Sequence, residues 1–317
     1  ACEKAGQWEK ALEVFESMEG RGIAPDVYSF NAAITACKKG RQWEKALKLF
    51  GSMNKHALKP NNVTFSSIIG ACKAGGQWEI ALDLFESMKS CGVEPDAISF
   101  LDAISACEEG FQWEKALELL NKMSDYGLKE NVNVYSTVIA ACKSCGKWEK
   151  ALELFNLMQS KGLAPDVPSY NAVIEALDSA QRFDEAVALI LEARDKTFYA
   201  KQFSSTLRID LHECSAAVAR TALRAILMEL KVGLRTPSEI LVITGQGRHS
   251  EGEAVLPGVV RDFLRILPGP EMTEIPENPG RFVLTRDSVM EWLESQRVPG
   301  EIPRLRAPDE AGGSKCP

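Results

Sequence analysis

Residues 43 to 53 read WEKALKLFGSM, and the same order of residue types returns along the chain: WEKALEVFESM from Trp8, WEIALDLFESM from Trp78, WEKALELLNKM from Trp113 and WEKALELFNLM from Trp148. The spacing is 35 residues throughout, and a weaker copy, FDEAVALILEA, begins at Phe183 in the same register. A fixed period of this length marks a solenoid, in which a unit too small to bury its own apolar face buries it against its neighbours. Trp43, Ala46, Leu47, Phe50 and Met53 recur at helical spacing, and Phe30, Ile34 and Cys37 do so upstream. Each unit is therefore two helices, separated at Gly40. The segments GIAPD, GVEPD and GLAPD, with ALKPN and GLKEN as variants, end a second helix and open the next unit.

The 317 residues are 45% hydrophobic and 26% charged, a globular mixture with room for about two domains. Apolar runs are far shorter than the roughly 18 residues of a membrane span, so no membrane partner is expected. Residues 1–200 hold 22 basic and 28 acidic side chains, and the remainder 15 and 16. Nucleic acid could not be held by a bulk positive field, only by local cations and direct contact with bases. Cys2, Cys37, Cys72, Cys107 and Cys142 share one repeat position on an apolar face and read as small core residues. Cys142 and Cys145 form a CxxC with no second pair to complete a zinc site. Nine cysteines without a disulfide framework fit a reducing compartment.

The pattern VYSFNAAITACKKGRQWEKALKLFGSM, closing on KPN, resembles the pentatricopeptide repeat family over residues 1–201. The period separates it from the 34-residue tetratricopeptide units. On this reading residues 1–26 are a partial repeat, followed by repeats 27–61, 62–96, 97–131 and 132–166 and a degenerate unit 167–201. Because Ala1 falls inside a unit, further repeats and any targeting peptide are expected upstream.

The resemblance implies single-stranded RNA as partner, one base per repeat, read by the fifth residue of the first helix with the last residue of the unit. Those pairs are Asn31 with Asn61, Ser66 with Asp96, Leu101 with Asn131, Ser136 with Asp166, and Asn171 with Lys201. It further implies a pyrimidine for Asn31/Asn61, guanine for Ser66/Asp96 and Ser136/Asp166, and poor selectivity at Leu101. Tyr28, Val63, Ile98, Asn133 and Pro168 occupy the base-sandwiching position, with Asn133 and Pro168 less typical. There is a plain alternative: Asp26, Asn61, Asp96, Asn131 and Asp166 all precede a helix, where they would cap free amides in any case. Capping does not explain Asn31, Ser66, Ser136 and Asn171, which lie inside helices and off the apolar stripe.

Beyond residue 201, LRIDLHE reads as a strand, SAAVARTALRAILMELKVG as a helix closed by Gly233, EILVIT as a buried strand, AVLPGVVRDFLRIL as a helix, GRFVLT as a strand and SVMEWLES as a helix. This alternation predicts a small α/β sandwich domain over residues 202–297 behind the α-helical solenoid, and residues 298–317, rich in Pro and Gly, read as a disordered tail. ITGQGRHS, residues 243–250, has Ser250 where a GxGxxG loop has its third glycine, and no GK[ST] follows. A glycine turn before a helix can still hold a phosphodiester. IDLH puts Asp210 and His212 on alternate positions of one strand.

IDLH, ITGQGRHS and ENPGRFVLTRDSVMEWL together resemble the small MutS-related (Smr) domain, a family that binds nucleic acid and in some members cleaves it. Phosphodiester hydrolysis needs an activated water, charge stabilisation and a proton for the leaving oxygen. The candidates for catalysis are Asp210, His212, Arg248 and His249, with the Gly245 and Gly247 amides on the phosphate and Asp210 the candidate ligand for Mg²⁺, the one cofactor expected. Glu213 stands where the family usually has glycine. The combined reading is a chloroplast or mitochondrial RNA-processing or RNA-stabilising factor working with ribonucleoprotein components. Its alternatives are a non-catalytic RNA binder and a protein-binding helical scaffold.

Overall fold

The computed structural model describes residues 8–196, 208–236, 238–244, 255–267, 269–276 and 280–296. The chain divides into two compact units, Ala1–Lys201 and Gln202–Pro317. In the first, α1 (Trp8–Gly20) is followed by five helix pairs. These are α2 (Val27–Lys39) with α3 (Trp43–Met53), α4 (Asn62–Ala74) with α5 (Trp78–Ser90), and α6 (Ala97–Glu109) with α7 (Trp113–Lys122). The last two are α8 (Val132–Ser144) with α9 (Trp148–Ser160), and α10 (Val167–Ser179) with α11 (Phe183–Lys196). First helices stack on one another in order; every second helix packs on its own first helix, and α3, α5, α7 and α9 pack also on the first helix of the next unit.

This arrangement follows from where the large side chains can go. Phe30, Phe65, Phe100, Tyr135 and Tyr170, one per first helix, are all essentially inaccessible to solvent. Four of the five meet an aromatic from the preceding second helix edge-on: Phe15 on Phe30 at 4.9 Å, Phe50 on Phe65 at 5.4 Å, Phe85 on Phe100 at 4.9 Å and Phe155 on Tyr170 at 5.0 Å. Such pairs contribute about 0.5–1.5 kcal/mol each beyond the area they bury. Cys37, Cys72, Cys107 and Cys142 are buried without disulfides, and burial pushes their thiols up to about 11 or 12, as small core residues rather than nucleophiles.

In three units the break between the helices is glycine, for a reason other than the turn; in the last two it is Cys145 and Ala180. Gly40 has φ −82°, open to any residue, and the left-handed residue is the next one, Arg41 at φ 54°. Gly40 is required by contact: a Cβ there would lie 2.5 Å from the Trp8 ring. The same holds one and two units on, where a Cβ at Gly75 would lie 2.2 Å from Trp43 and one at Gly110 would lie 2.4 Å from Trp78. At these three junctions the tryptophan thus seats on the bare backbone of the following unit.

In the second unit, β1 (Arg208–Asp210), α12 (Ala216–Lys231), β2 (Ile240–Ile243), α13 (Val255–Ile266), β3 (Met272–Glu274), β4 (Arg281–Leu284) and α14 (Arg286–Ser295) follow in order. The sheet runs β1-β2-β4-β3, with β1 and β2 parallel and the other pairings antiparallel. Parallel β1 and β2 need a crossover, and α12 supplies it. Ser215 caps α12, and Val218, Leu223 and Leu230 lie on its buried face. The short strand β3 has no counterpart in the sequence reading. β1 ends at Asp210, so His212 lies in the following turn rather than on the strand. Lys201, Gly245, Gly247, Arg248, His249 and residues 298–317 lie outside the described residues.

Gly75→Ala should destabilise the array by about 1–3 kcal/mol, the usual cost of forcing atoms into a filled contact, measured by urea denaturation. An unchanged midpoint would contradict the Trp43 contact as the reason for glycine.

Candidate nucleic-acid interface

Every first helix from α2 to α10 starts from a capping side chain. Asp26, Asn61, Asp96, Asn131 and Asp166 have extended backbones, and each accepts a hydrogen bond from the amide three residues on. The capping explanation is therefore correct for all five. It is also incomplete, because stacking of first helices brings the cap of one helix beside the fifth residue of the previous one.

Asn31 Nδ2 donates to Asn61 Oδ1 at 3.2 Å, and Thr64 Oγ1 donates to Asn31 Oδ1 at 2.6 Å. Three repeats later Ser136 Oγ donates to Asp166 Oδ1 at 3.1 Å and lies 2.7 Å from Ser169 Oγ. The same three-residue cluster thus forms twice from different side chains. In each, Oδ1 of the cap does the structural work. Asn61 Nδ2 and Asp166 Oδ2 make no hydrogen bond among the described residues.

The other pairs differ. No hydrogen bond joins Ser66 to Asp96 among the described residues; Asp96 Oδ1 caps Ser99 and its Oδ2 accepts from Asn62 at 3.5 Å. Leu101 is half-buried and Asn131 caps Val134. Asn171 is half-buried on α10. Tyr28, Val63 and Ile98 are 82%, 57% and 61% exposed, and Asn133 and Pro168 are exposed as well, so one position presents its side chain to solvent in all five units.

The hydroxyls of Thr64 and Ser169 complete these two clusters, and the sequence reading passed over them. Ser29, Thr64, Ser99 and Ser169 share one repeat position, and that recurrence was the available signal. Asp102 was also passed over. It is buried on α6, 3.8 Å from Lys38 and 3.7 Å from Lys73.

In the C-terminal unit His212 Nδ1 lies 2.5 Å from Asp210 Oδ1, and Arg208 donates to Asp210 Oδ2 at 3.2 Å. Burial raises the Asp210 pKa, but hydrogen bonds from the His212 ring and amide, with Arg208, more than offset it and hold the carboxyl below its usual value. With Nδ1–H donating to Asp210, the ring's Nε2 is left for proton transfer, and Glu213 faces that nitrogen at 3.5 Å. Both Asp210 oxygens are thus engaged, and the described residues contain no group of three or more His, Cys, Asp or Glu able to hold a metal. This donor set does not fit a protein-held Mg²⁺. Cys214 is pushed up to about 12 by burial and is no nucleophile.

Residues 1–39 and 13–76 match the pentatricopeptide repeat domain, residues 63–93 and 99–128 the PPR repeat, and residues 130–179 the PPR repeat family. The array is built of pentatricopeptide repeats. Among solved structures, the pentatricopeptide repeat protein PPR10 from maize superposes with a TM-score of 0.56 at 23% identity, over 84% of this chain and 38% of that one. PPR10 in complex with an 18-nt psaJ RNA element gives 0.55 at 19%, over 96% of this chain and again 38% of that one. The chain spans little more than a third of these structures, and at such identity the likeness shows the helical-repeat fold. No curated protein matches the chain in sequence. Among the described residues no helix is long and apolar enough to cross a membrane.

If the caps are structural as well as recognitive, Asn61→Ala should cost about 1 kcal/mol, whereas Asn61→Asp, which keeps Oδ1, should melt within a degree or two of wild type. Equal losses in both variants would contradict the assignment of Oδ1 to the cap.

Proposed function

We propose that the pentatricopeptide array binds single-stranded RNA and selects bases, and that the C-terminal unit is a small MutS-related domain that binds or cleaves the RNA so presented. The observation that carries the first half is the repeated coupling of fifth residue to cap, at Asn31/Asn61 and again at Ser136/Asp166. Pentatricopeptide proteins with this fold bind RNA, as the PPR10–RNA complex records.

The chemistry of the uncommitted atoms supports the base assignments. Asn61 Nδ2 is a donor suited to a pyrimidine carbonyl, and the Asp166 carboxylate is an acceptor suited to the N1–H and N2–H₂ donors of guanine. Ser66/Asp96 has the same types and is assigned guanine on that ground. Leu101 offers neither donor nor acceptor, and its unit contributes no hydrogen-bonded selection. The exposed Tyr28, Val63 and Ile98 supply apolar faces for the flanking bases.

For the C-terminal unit, support comes from IDLH and ITGQGRHS in one small α/β unit and from the contact of Asp210 with His212. A histidine oriented by a carboxylate is the usual form of a general acid or base. In this reading His212 moves the proton at the scissile phosphodiester, Asp210 fixes its tautomer, and the loop bearing Gly245, Gly247, Arg248 and His249 holds the phosphate. The Glu213 carboxylate beside Nε2 opposes the approach of a phosphate to that nitrogen and counts against cleavage there. The small α/β sandwich of that family, ribonucleoprotein partners and a chloroplast or mitochondrial location belong to the same proposal.

The test uses short single-stranded RNAs carrying pyrimidine-G-N-G in either polarity. Tyr28→Ala should weaken binding roughly 5- to 150-fold, corresponding to about 1–3 kcal/mol for one stacked base, with an unchanged melting curve because the ring is exposed. Unaltered affinity, or no binding by the wild type, would favour the protein scaffold. Incubation of end-labelled RNA with wild type and His212→Ala decides the second half: cleavage lost in the variant assigns catalysis to His212, and an intact substrate with wild type leaves a binder.

A further inference from the structure

Three features set the repeat of residues 97–131 apart, and all lie on its first helix. Its code position is Leu101, which cannot hydrogen-bond. Its Glu108 occupies the position that is Lys38, Lys73 and Lys143 in the units around it. Its Asp102, beside Leu101, is the sole carboxylate at a position that is Ala32, Ser67, Thr137 and Ala172 elsewhere.

Asp102 is not isolated. Lys73, one unit back, reaches its Oδ1 at 3.7 Å, and Lys38, two units back, reaches its Oδ2 at 3.8 Å. The longer reach has a visible provision: Lys38 lies across Gly70 of α4, where a Cβ would sit 2.3 Å from Nζ and 2.4 Å from Cε. A side chain at that position would lift the lysine off the helix. Asp102 Oδ2 is buried without a hydrogen bond, and burial pushes the carboxyl up against the pull of Lys38 first and then Lys73. Three consecutive first helices are therefore tied by one carboxylate at the cost of an incompletely satisfied buried charge. Both lysines keep part of their side chains in solvent, 36% and 25% exposed.

From this geometry we infer that Asp102 is an internal competitor for RNA phosphate: it holds Lys38 and Lys73, which belong to the two preceding repeats, against the array, while repeat 97–131, with Leu101 and Glu108, is itself an unread spacer between base-reading repeats. The inference rests on RNA being the ligand. A chain with net negative charge gains selectivity from such a device, because neutralising its own lysines removes the sequence-independent part of the affinity and leaves base contacts to decide.

The test is the affinity of the full chain for pyrimidine-G-N-G RNA across a salt series, for wild type and Asp102→Asn. Release of two lysines to phosphates should tighten binding roughly 10-fold at low salt and steepen the log–log salt slope by about 1.4, at about 0.7 per phosphate of a single strand. It should also reduce discrimination between the matched RNA and a homopolymer. An unchanged slope in a folded Asp102→Asn protein overturns the inference. The double variant Lys38→Gln/Lys73→Gln provides an independent reading should Asp102→Asn not fold. The inference expects less than about a 2-fold loss from it, because lysines held by Asp102 contribute little to phosphate binding, whereas a loss of 10-fold or more with a shallower slope overturns it. Failure of the wild type to bind any of these RNAs in any salt would refute the RNA reading itself, which the salt-slope comparison does not touch.

Discussion

The array depends on one constraint: each unit carries an aromatic side chain that it cannot hide alone. Phe30, Phe65, Phe100, Tyr135 and Tyr170 are buried only because a neighbouring second helix closes over them. That requirement sets the distance between consecutive first helices, and the Trp–glycine contacts at Gly40, Gly75 and Gly110 hold it. Once the spacing is fixed, the start of one first helix lies beside the fifth residue of the one before. The contacts of Asn31 with Asn61 and of Ser136 with Asp166 are consequences of core packing.

That origin explains why a residue concerned with stability can also take part in recognition. A helix needs an oxygen at its N-cap, and Asp or Asn provides one while keeping a second polar atom. Oδ1 satisfies the backbone, and the atom left over, a donor in Asn and an acceptor in Asp, differs between units without disturbing the fold. The hydroxyls of Thr64 and Ser169 lock the fifth residue to the cap and hold the pair in one arrangement, which on the proposed reading lowers the entropy lost on binding RNA. In the C-terminal unit the strand end performs a similar service, placing Asp210 where the following turn returns His212 to it.

The helical array was legible because it is written in periods. Tryptophans 35 apart, apolar stripes and pre-helical Asp or Asn determine the elements, and the elements determine the stacking. Less visible were features whose meaning depends on a partner one or two units away. Gly40 reads as the break between two helices, but its φ is ordinary, and the Trp8 ring of the preceding unit is what excludes a side chain. Thr64 and Ser169 lie in the first turn of their helices, and their second contact is across the stack. Asp102 shows its role only through Lys38, which lies over Gly70 to meet it from two units away. In the second unit the three residues of β3 are too few to show alternation, and the strand bearing IDLH stops two residues earlier than the motif.

The central claim is that the paired atoms at the helix stack choose the base. Its most direct test is to rebuild the first full repeat with the residues of the fourth, as Asn31→Ser/Asn61→Asp, and to measure by fluorescence anisotropy which base the altered repeat prefers in an RNA varied at that one position. The account predicts a change from pyrimidine to guanine with the other positions unaffected. A preference that stays with pyrimidine, or an RNA affinity indifferent to the base at that position in both proteins, would contradict it.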